Sequence, residues 1–517
     1  MSIFSDFKQI ALRRPDAPAV VMPDGGVAYS TLLNLAEQIA GGLLRAGLRA
    51  GDRVAIHIGN RPELISVYYA CLSIGAVFVP ISLRLSGGEV KYLIAHSAAR
   101  FYLGDRELYG SCSEIIEHSD TIEQAWVFDL ASPTKRTRPW TDLLTNTTFP
   151  PSETDVKQMV SIFYTSGTTG QPKGIVYSQA TLNSSLDLVD ATIAATIVQD
   201  SEHPNALYSM VDLISPWTIL MTFACLRNGR PLALTETQAP DVALQFIRRK
   251  SIGWIFGTPS TFNSMLTLAK GSAVAPVDLS ETHCISGGDA CPTDLSQEFF
   301  HYFRAHLQGS YGQTEAGGPM IYQPDLNLVD EPSIGWPLPG VGIRIDRQSG
   351  ESGELLLRSP AKTVGIWNGK TVAPFDEERW IATGDVVQRR SDGCLLFLGR
   401  KKDLMKVEGY PVSPLEVEQE LLKHPDIADV VVFGIPDPTT GERPIAMIQT
   451  KSGRQIDEQA LLAHLSGHIA HYKHPREFIF TKKLPILPSG KLGRQQLAAS
   501  YIASHAPAKA SLKETTQ

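Results

Sequence analysis

Cysteine is scarce in this chain and never paired at short spacing. Six cysteines, Cys71, Cys112, Cys225, Cys284, Cys291 and Cys394, are spread over 517 residues. None stands in a C-x-x-C arrangement, which sets aside the common zinc and dithiol motifs. Buried, reduced thiols are the expectation. Long apolar runs are also missing. A membrane-spanning helix needs about 18 apolar residues in a row, and no such stretch occurs. The opening Met1-Ser2-Ile3-Phe4-Ser5-Asp6 lacks the basic segment and apolar run of a secretory signal. The closing Thr515-Thr516-Gln517 matches neither a prenylation box nor a peroxisomal address. Basic charge is in deficit too: 47 Lys and Arg face 54 Asp and Glu, a net charge of −7. General nucleic-acid binders show the opposite balance. We expect a cytoplasmic protein with no membrane span and no nucleic-acid partner.

What is present is ordinary globular composition, 43% hydrophobic and 20% charged, in a chain long enough for roughly three average domains or fewer large ones. Helical and strand patterns alternate. Ser30 is placed to cap a helix carrying Leu32, Leu33, Leu35, Ile39, Leu43 and Leu44, with Gly47 at its end. Val54-Ala55-Ile56-His57-Ile58 reads as a strand. Pro62-Glu63 opens a helix that stops near Gly75, and Val77-Phe78-Val79-Pro80-Ile81 is the next strand. Such alternation predicts a layered α/β fold. After about residue 340 the style changes. Gly353–Arg358 and Gly393–Leu398 predict strands of a β-rich module. A charged segment, Gly399-Arg400-Lys401-Lys402-Asp403, follows. We place a boundary there: residues 1–399 form a large N-terminal domain and 400–500 a small α+β domain. The small domain has a helix near Pro414–Leu422 and a strand at Val430–Phe433. Residues 501–517 are expected to be a disordered tail.

One loop concentrates chemistry. After the strand end Ser161-Ile162-Phe163-Tyr164 comes Thr165-Ser166-Gly167-Thr168-Thr169-Gly170-Gln171-Pro172-Lys173-Gly174, with four hydroxyls, three glycines and a lysine. Glycines let backbone N–H groups approach an anion, hydroxyls donate to phosphate oxygens, and lysine adds charge. The Walker spacing is absent, because Lys173 is followed by glycine. Read alone, the segment also fits a plain polar surface loop.

Residues 164–174 resemble the signature loop of the adenylate-forming superfamily, which includes acyl-CoA synthetases, firefly luciferase and peptide-synthetase adenylation domains. Further motifs resemble the family's in order. They are Ser286-Gly287-Gly288-Asp289, Tyr311-Gly312-Gln313-Thr314-Glu315, Gly335-Trp336-Pro337 with Pro339-Gly340, and Trp380 with Thr383-Gly384-Asp385. Gly399–Asp403 and Pro488-Ser489-Gly490-Lys491 complete the set. The likeness covers about residues 10–500.

The resemblance implies an AMP-forming ligase using ATP, Mg²⁺ and coenzyme A. A carboxylate would attack the α-phosphate of ATP, and both reactants are anions, so positive charge and alignment are needed. By resemblance, Thr165, Ser166, Gly167, Thr168, Thr169, Gly170 and Lys173 would cradle the β- and γ-phosphates. Glu315 would carry Mg²⁺. Thr314 would touch the α-phosphate, while Tyr311, Gly312 and Gln313 would border adenine together with Gly287, Gly288 and Asp289. Asp385 would accept from the ribose hydroxyls, and Arg400 would donate nearby. Lys491, on the small domain, would bridge carboxylate and α-phosphate. Rotation about Lys402 would then bring the segment from Lys406 to Gly409 into place for the thiol. No L-G-G-x-S carrier motif follows, and Tyr472-Lys473-His474-Pro475-Arg476 resembles free-standing CoA ligases. A free-standing enzyme that loads a carrier-protein phosphopantetheine is the alternative, and a non-catalytic binding module is the third reading.

The acid is less legible. Many relatives carry Phe-His where this chain has Val211-Asp212-Leu213-Ile214. Asp212 either faces a cationic substrate group or lies on the surface. Ser260, Phe262, Gly309 and Ser310 are expected to border the acyl pocket. The enzyme is expected to act as a monomer or homodimer.

Overall fold

The computed structural model describes residues 2–144, 155–165, 172–194, 206–250, 252–271, 277–328, 333–349, 352–376, 378–408, 410–451, 456–466, 468–485 and 494–505. The chain divides into two compact units. The first comprises Met1–Arg344, Leu356–Thr383 and Arg390–Leu395, and the second Ile345–Leu355, Gly384–Arg389 and Leu396–Gln517.

The first unit holds two layered α/β sheets. One has nine strands, in the order Val372–Pro374, Gly365–Trp367, Lys173–Ser178, Met159–Thr165, Val77–Pro80, Arg53–His57, Phe101–Asp105, Gln124–Phe128 and Thr137–Pro139. Its central strands pair in parallel. Parallel strands are covered on both faces, so they read as unbroken apolar runs; Val77, Phe78 and Val79 are fully buried. The helix Pro62–Ile74 starts on proline and ends at Gly75, which takes a left-handed φ of 71°. It is buried almost all round, as a core helix should be. The helix predicted from Ser30 begins one residue earlier, at Tyr29, and Ala28 occupies the cap position with no side-chain bond. Tyr29 is drawn in because its buried hydroxyl donates to the carbonyls of Leu226 and Arg230.

The second sheet of this unit runs through Gly318–Gln323, Leu307–Gln313, His283–Gly287, Ile252–Gly257 and Ala206–Ser209. The last four strands of that run are parallel to one another. Ligands of open α/β sheets gather beyond the carboxyl ends of such strands. Here those ends present Thr258, Gly288 and the segment Ser310–Gln313 side by side, because Gly257 pairs with Ser286 and Gly287 with Ser310.

The β-rich stretch after residue 340 is present as strands Gly342–Ser349, Ser352–Arg358, Ile381–Arg389 and Leu395–Arg400. In the second unit, strands Tyr410–Val412, Met405–Val407, Gly441–Thr450, Ile427–Asp437 and Glu477–Thr481 form one sheet. Ser413 caps the helix Pro414–Leu422, its hydroxyl accepting from the Glu416 N–H. Val417 and Leu421 of that helix pack on Val430, Val432, Ala446 and Ile448. The helix Arg494–His505 enters the stretch expected to be tail, and residues 506–517 lie outside the described residues.

Candidate active site

The Gly/Thr-rich segment joins two antiparallel strands. Tyr164 pairs with Gly174 and Thr165 with Lys173. It is therefore a hairpin connection, unlike the strand-to-helix turn of a Walker loop. One helix face anchors both ends. Tyr92 and His96 lie four residues apart on the helix Gly87–Ser97, where side chains stack on one side. The Tyr92 hydroxyl donates to the Pro172 carbonyl at 3.3 Å, and His96 Nδ1 bonds the Tyr164 hydroxyl at 2.9 Å. Ser166, Gly167, Thr168, Thr169 and Gly170 lie outside the described residues, as do Gly409 and Lys491.

At the hairpin end the Thr165 hydroxyl donates to Glu315 Oε1 at 2.9 Å. This bond ties two motifs that are 150 residues apart. Glu315 is the middle residue of the short turn Thr314–Ala316, directly after the strand Leu307–Gln313. Its backbone carbonyl accepts from the Thr363 hydroxyl at 2.7 Å, and the Tyr177 hydroxyl donates to the Thr314 carbonyl at 2.7 Å. Burial pushes the Tyr177 hydroxyl's pKa upward, with the Glu315 charge adding to it. Gln313 Nε2 donates to the Thr383 carbonyl at 2.9 Å. The segment Gln313–Glu315 is thus held by neighbours on several strands.

The glycines beside it are there for closeness. A Cβ on Gly287 would stand 2.8 Å from the Ser310 carbonyl oxygen and 3.2 Å from the Trp217 ring. A Cβ on Gly312 would stand 2.0 Å from the Gly318 carbonyl oxygen. Gly288 is exposed at φ 85°. Asp289 is also exposed and accepts from the Ala290 N–H. Tyr311 and Ser310 are half-buried.

The expected acyl-pocket residues differ in burial. Phe262 is fully buried, edge-on to Phe299 at 5.3 Å inside the core. Ser260 is exposed and bonds Thr258. The space over Gly309 is taken by Leu326 and Gln323. Asp212 is half-buried, with its carboxylate 3.9 Å from Arg84, and burial raises its pKa. Its carbonyl accepts from Thr218 and Ser215, which steadies the start of the helix Pro216–Arg227.

In the second unit Asp385 is fully buried, with Arg400 Nε 2.7 Å from its Oδ1. Glu354, which the motifs did not point to, accepts from the Gly384 N–H at 3.1 Å and from Lys401 Nζ at 2.6 Å. The Lys401 N–H donates back to the Gly384 carbonyl at 2.7 Å. Lys402 is exposed. Among the described residues no cluster of three or more His, Cys, Asp or Glu could hold a metal ion. No described helix is long and apolar enough to cross a membrane, and all six cysteines are free thiols.

A family model described as AMP-binding enzyme matches residues 7–367, and one described as AMP-binding enzyme C-terminal domain matches residues 416–491. A feruloyl-CoA synthase from an Amycolatopsis species is 28% identical over 487 residues, covering 92% of this chain and 94% of that protein. A fatty acid–[acyl-carrier-protein] ligase, ScoC, from Streptomyces coeruleorubidus is 28% identical over 510 residues, 94% of each. The crystal structure of coronafacic acid ligase from Pectobacterium brasiliense is 43% identical, covers 97% of this chain and 98% of that one, and superposes with a TM-score of 0.82.

Proposed function

Because the chain belongs to the AMP-binding enzyme family, we propose that it activates a carboxylic acid with ATP and passes the acyl group to coenzyme A. The observation that carries this reading is the Thr165–Glu315 bond, which draws the hairpin end and the Tyr311–Glu315 segment to one place. In the first step a carboxylate meets a polyphosphate, and charge must be neutralised and aligned. Thr165, Ser166, Thr168, Thr169 and Lys173 would hold the β- and γ-phosphates. Glu315 is half-buried and keeps one carboxylate oxygen beyond its Thr165 bond. That suits Mg²⁺, which is held by one or two carboxylates plus substrate phosphates. The ion would supply charge neutralisation when bound.

Tyr311, Gly287 and Gly288 would border adenine, Thr314 the α-phosphate, and Asp385 and Arg400 the ribose. Lys491 would bridge the two reacting groups in the first step, with Lys402 as the pivot and the segment ending at Gly409 serving the thiol step. Ser260 and Ser310 would border the acid, while Phe262 and Gly309 support them from the packed side. The free thiols support a cytoplasmic enzyme, working as a monomer or homodimer. The relative named as a coronafacic acid ligase makes coronafacic acid the first substrate to try.

The test is pyrophosphate release with a panel of acids, with and without coenzyme A. The reading expects pyrophosphate from at least one acid and a thioester only when coenzyme A is added. Adenylate with no turnover of coenzyme A would instead favour a carrier-protein thiol, the reading supported by the ScoC relative. No release with any acid would refute both.

A further inference from the structure

Arg379 sits in the loop before the strand Ile381–Arg389, between Asp376-Glu377-Glu378 and Trp380. A turn built on Asp376 sets its position. The Asp376 carboxylate accepts from the Glu378 N–H at 3.0 Å, and its carbonyl accepts from the Arg379 N–H at 3.2 Å. The guanidinium lies over the Phe375 ring, 3.5 Å from the centroid. Phe375 is fixed in turn, since its N–H donates to the Val364 carbonyl at 3.0 Å. The residue before Val364, Thr363, donates through its hydroxyl to the Glu315 carbonyl. Glu315 meets Thr165, and Thr165 faces Lys173 across the hairpin. This chain of contacts gathers Arg379, Glu315, Thr165 and Lys173 around one hairpin end.

The guanidinium is half-buried, which lowers its affinity for its proton, and the nearby Glu315 carboxylate works the other way. Its side-chain donors make no hydrogen bond or ion pair among the described residues. A partly desolvated guanidinium with five unspent donors is costly unless an anion arrives to take them. Its planar fork fits phosphate oxygens in pairs, which an ammonium does not match.

We propose that Arg379 is a phosphate-binding residue that takes the polyphosphate end of ATP and the departing pyrophosphate. This rests on the adenylation reading above. In that step a carboxylate oxygen forms a bond to the α-phosphorus, and the bridging bond from the α-phosphorus to the β-phosphate oxygen breaks. The electron pair leaves on pyrophosphate, and no proton is transferred. Negative charge grows on the bridging oxygen, so a fixed cation there favours departure.

The test titrates magnesium ATP and magnesium pyrophosphate, separately and without acid, into the full chain and its Arg379→Ala and Arg379→Lys variants by calorimetry. The Ala variant is expected to bind both roughly 10-fold more weakly or worse, the effect of losing a charge-assisted bond. The Lys variant recovers part of the loss. In steady state, KM for the acid changes by less than about twofold, since Arg379 is assigned to phosphate alone. Wild-type affinity for both phosphates in the Ala variant would overturn the proposal, as would a loss carried by the acid. If the Ala variant does not fold, Arg379→Lys and Arg379→Gln carry the same comparison, and equal binding by both overturns it. The titrations need no turnover, so they decide on Arg379 even if the acid panel yields no pyrophosphate.

Discussion

Replacing Glu354 separates two contacts that one carboxylate makes in the second unit. One oxygen accepts from the Gly384 N–H, the other from Lys401 Nζ. The Glu354 side chain is 12% exposed and that of Lys401 is 49% exposed. An ion pair with one partner that open to water contributes about 0–1 kcal/mol. The bond to the Gly384 amide is sheltered and charge-assisted, and contributes about 1.5–3 kcal/mol. The amide bond therefore dominates. Glu354→Gln keeps an acceptor for Gly384 and loses the ion pair, so it is expected to cost no more than about 1 kcal/mol. Lys401→Met should match it. Glu354→Ala loses both contacts and strands the amide, for a loss of about 2–4 kcal/mol. Scanning calorimetry of the three variants gives the order. Gly384 holds φ at 73° directly before Asp385, so the Ala variant should also raise KM for ATP while Lys401→Met leaves it unchanged. If Glu354→Gln or Lys401→Met destabilises as much as Glu354→Ala, the energy lies in the ion pair and the reasoning fails.

Other expectations follow from single contacts. His57 is buried and burial depresses its pKa to about 4 from 6.5. Between those values the unfolded chain binds a proton that the folded chain refuses, so stability is complete above about pH 6.5 and falls as pH drops towards 4. The loss is about 3 kcal/mol in all. His57→Gln should flatten unfolding free energy measured between pH 5 and 7, and an unchanged slope would assign acid sensitivity to other groups. Gly287→Ala drives a methyl against the Ser310 carbonyl, which backbone cannot easily yield. It should lower stability by about 1–3 kcal/mol and weaken ATP binding in a titration; wild-type values for both would show that the strand end gives way. Glu315→Gln keeps an acceptor for Thr165 but removes charge. It should melt within about 2 °C of wild type, as a substitution that preserves its bond does, yet need more Mg²⁺ for pyrophosphate release. Unchanged metal dependence would rule out a metal role for Glu315.

The family and the order of its motifs were legible in the sequence because each motif is local. A glycine needed for close approach, a hydroxyl-rich hairpin connection, or a proline-started helix leaves its mark within a few residues. Elements with strong punctuation therefore came out at their observed ends, as with Pro62–Ile74 and Pro414–Leu422. Only the tertiary structure decided which motifs meet. Thr165 and Glu315 touch across 150 residues, and Glu354 reaches Lys401 across 47. Nothing in either short stretch encodes its partner, since hydrogen bonds between distant segments depend on sheet order and register. The same holds for Phe262, which reads as a pocket residue by position and packs in the core because its helix turns that face inward. Arg379 carries no mark in its own short stretch; only the tertiary structure sets it over Phe375, whose neighbours lead through Thr363 to Glu315.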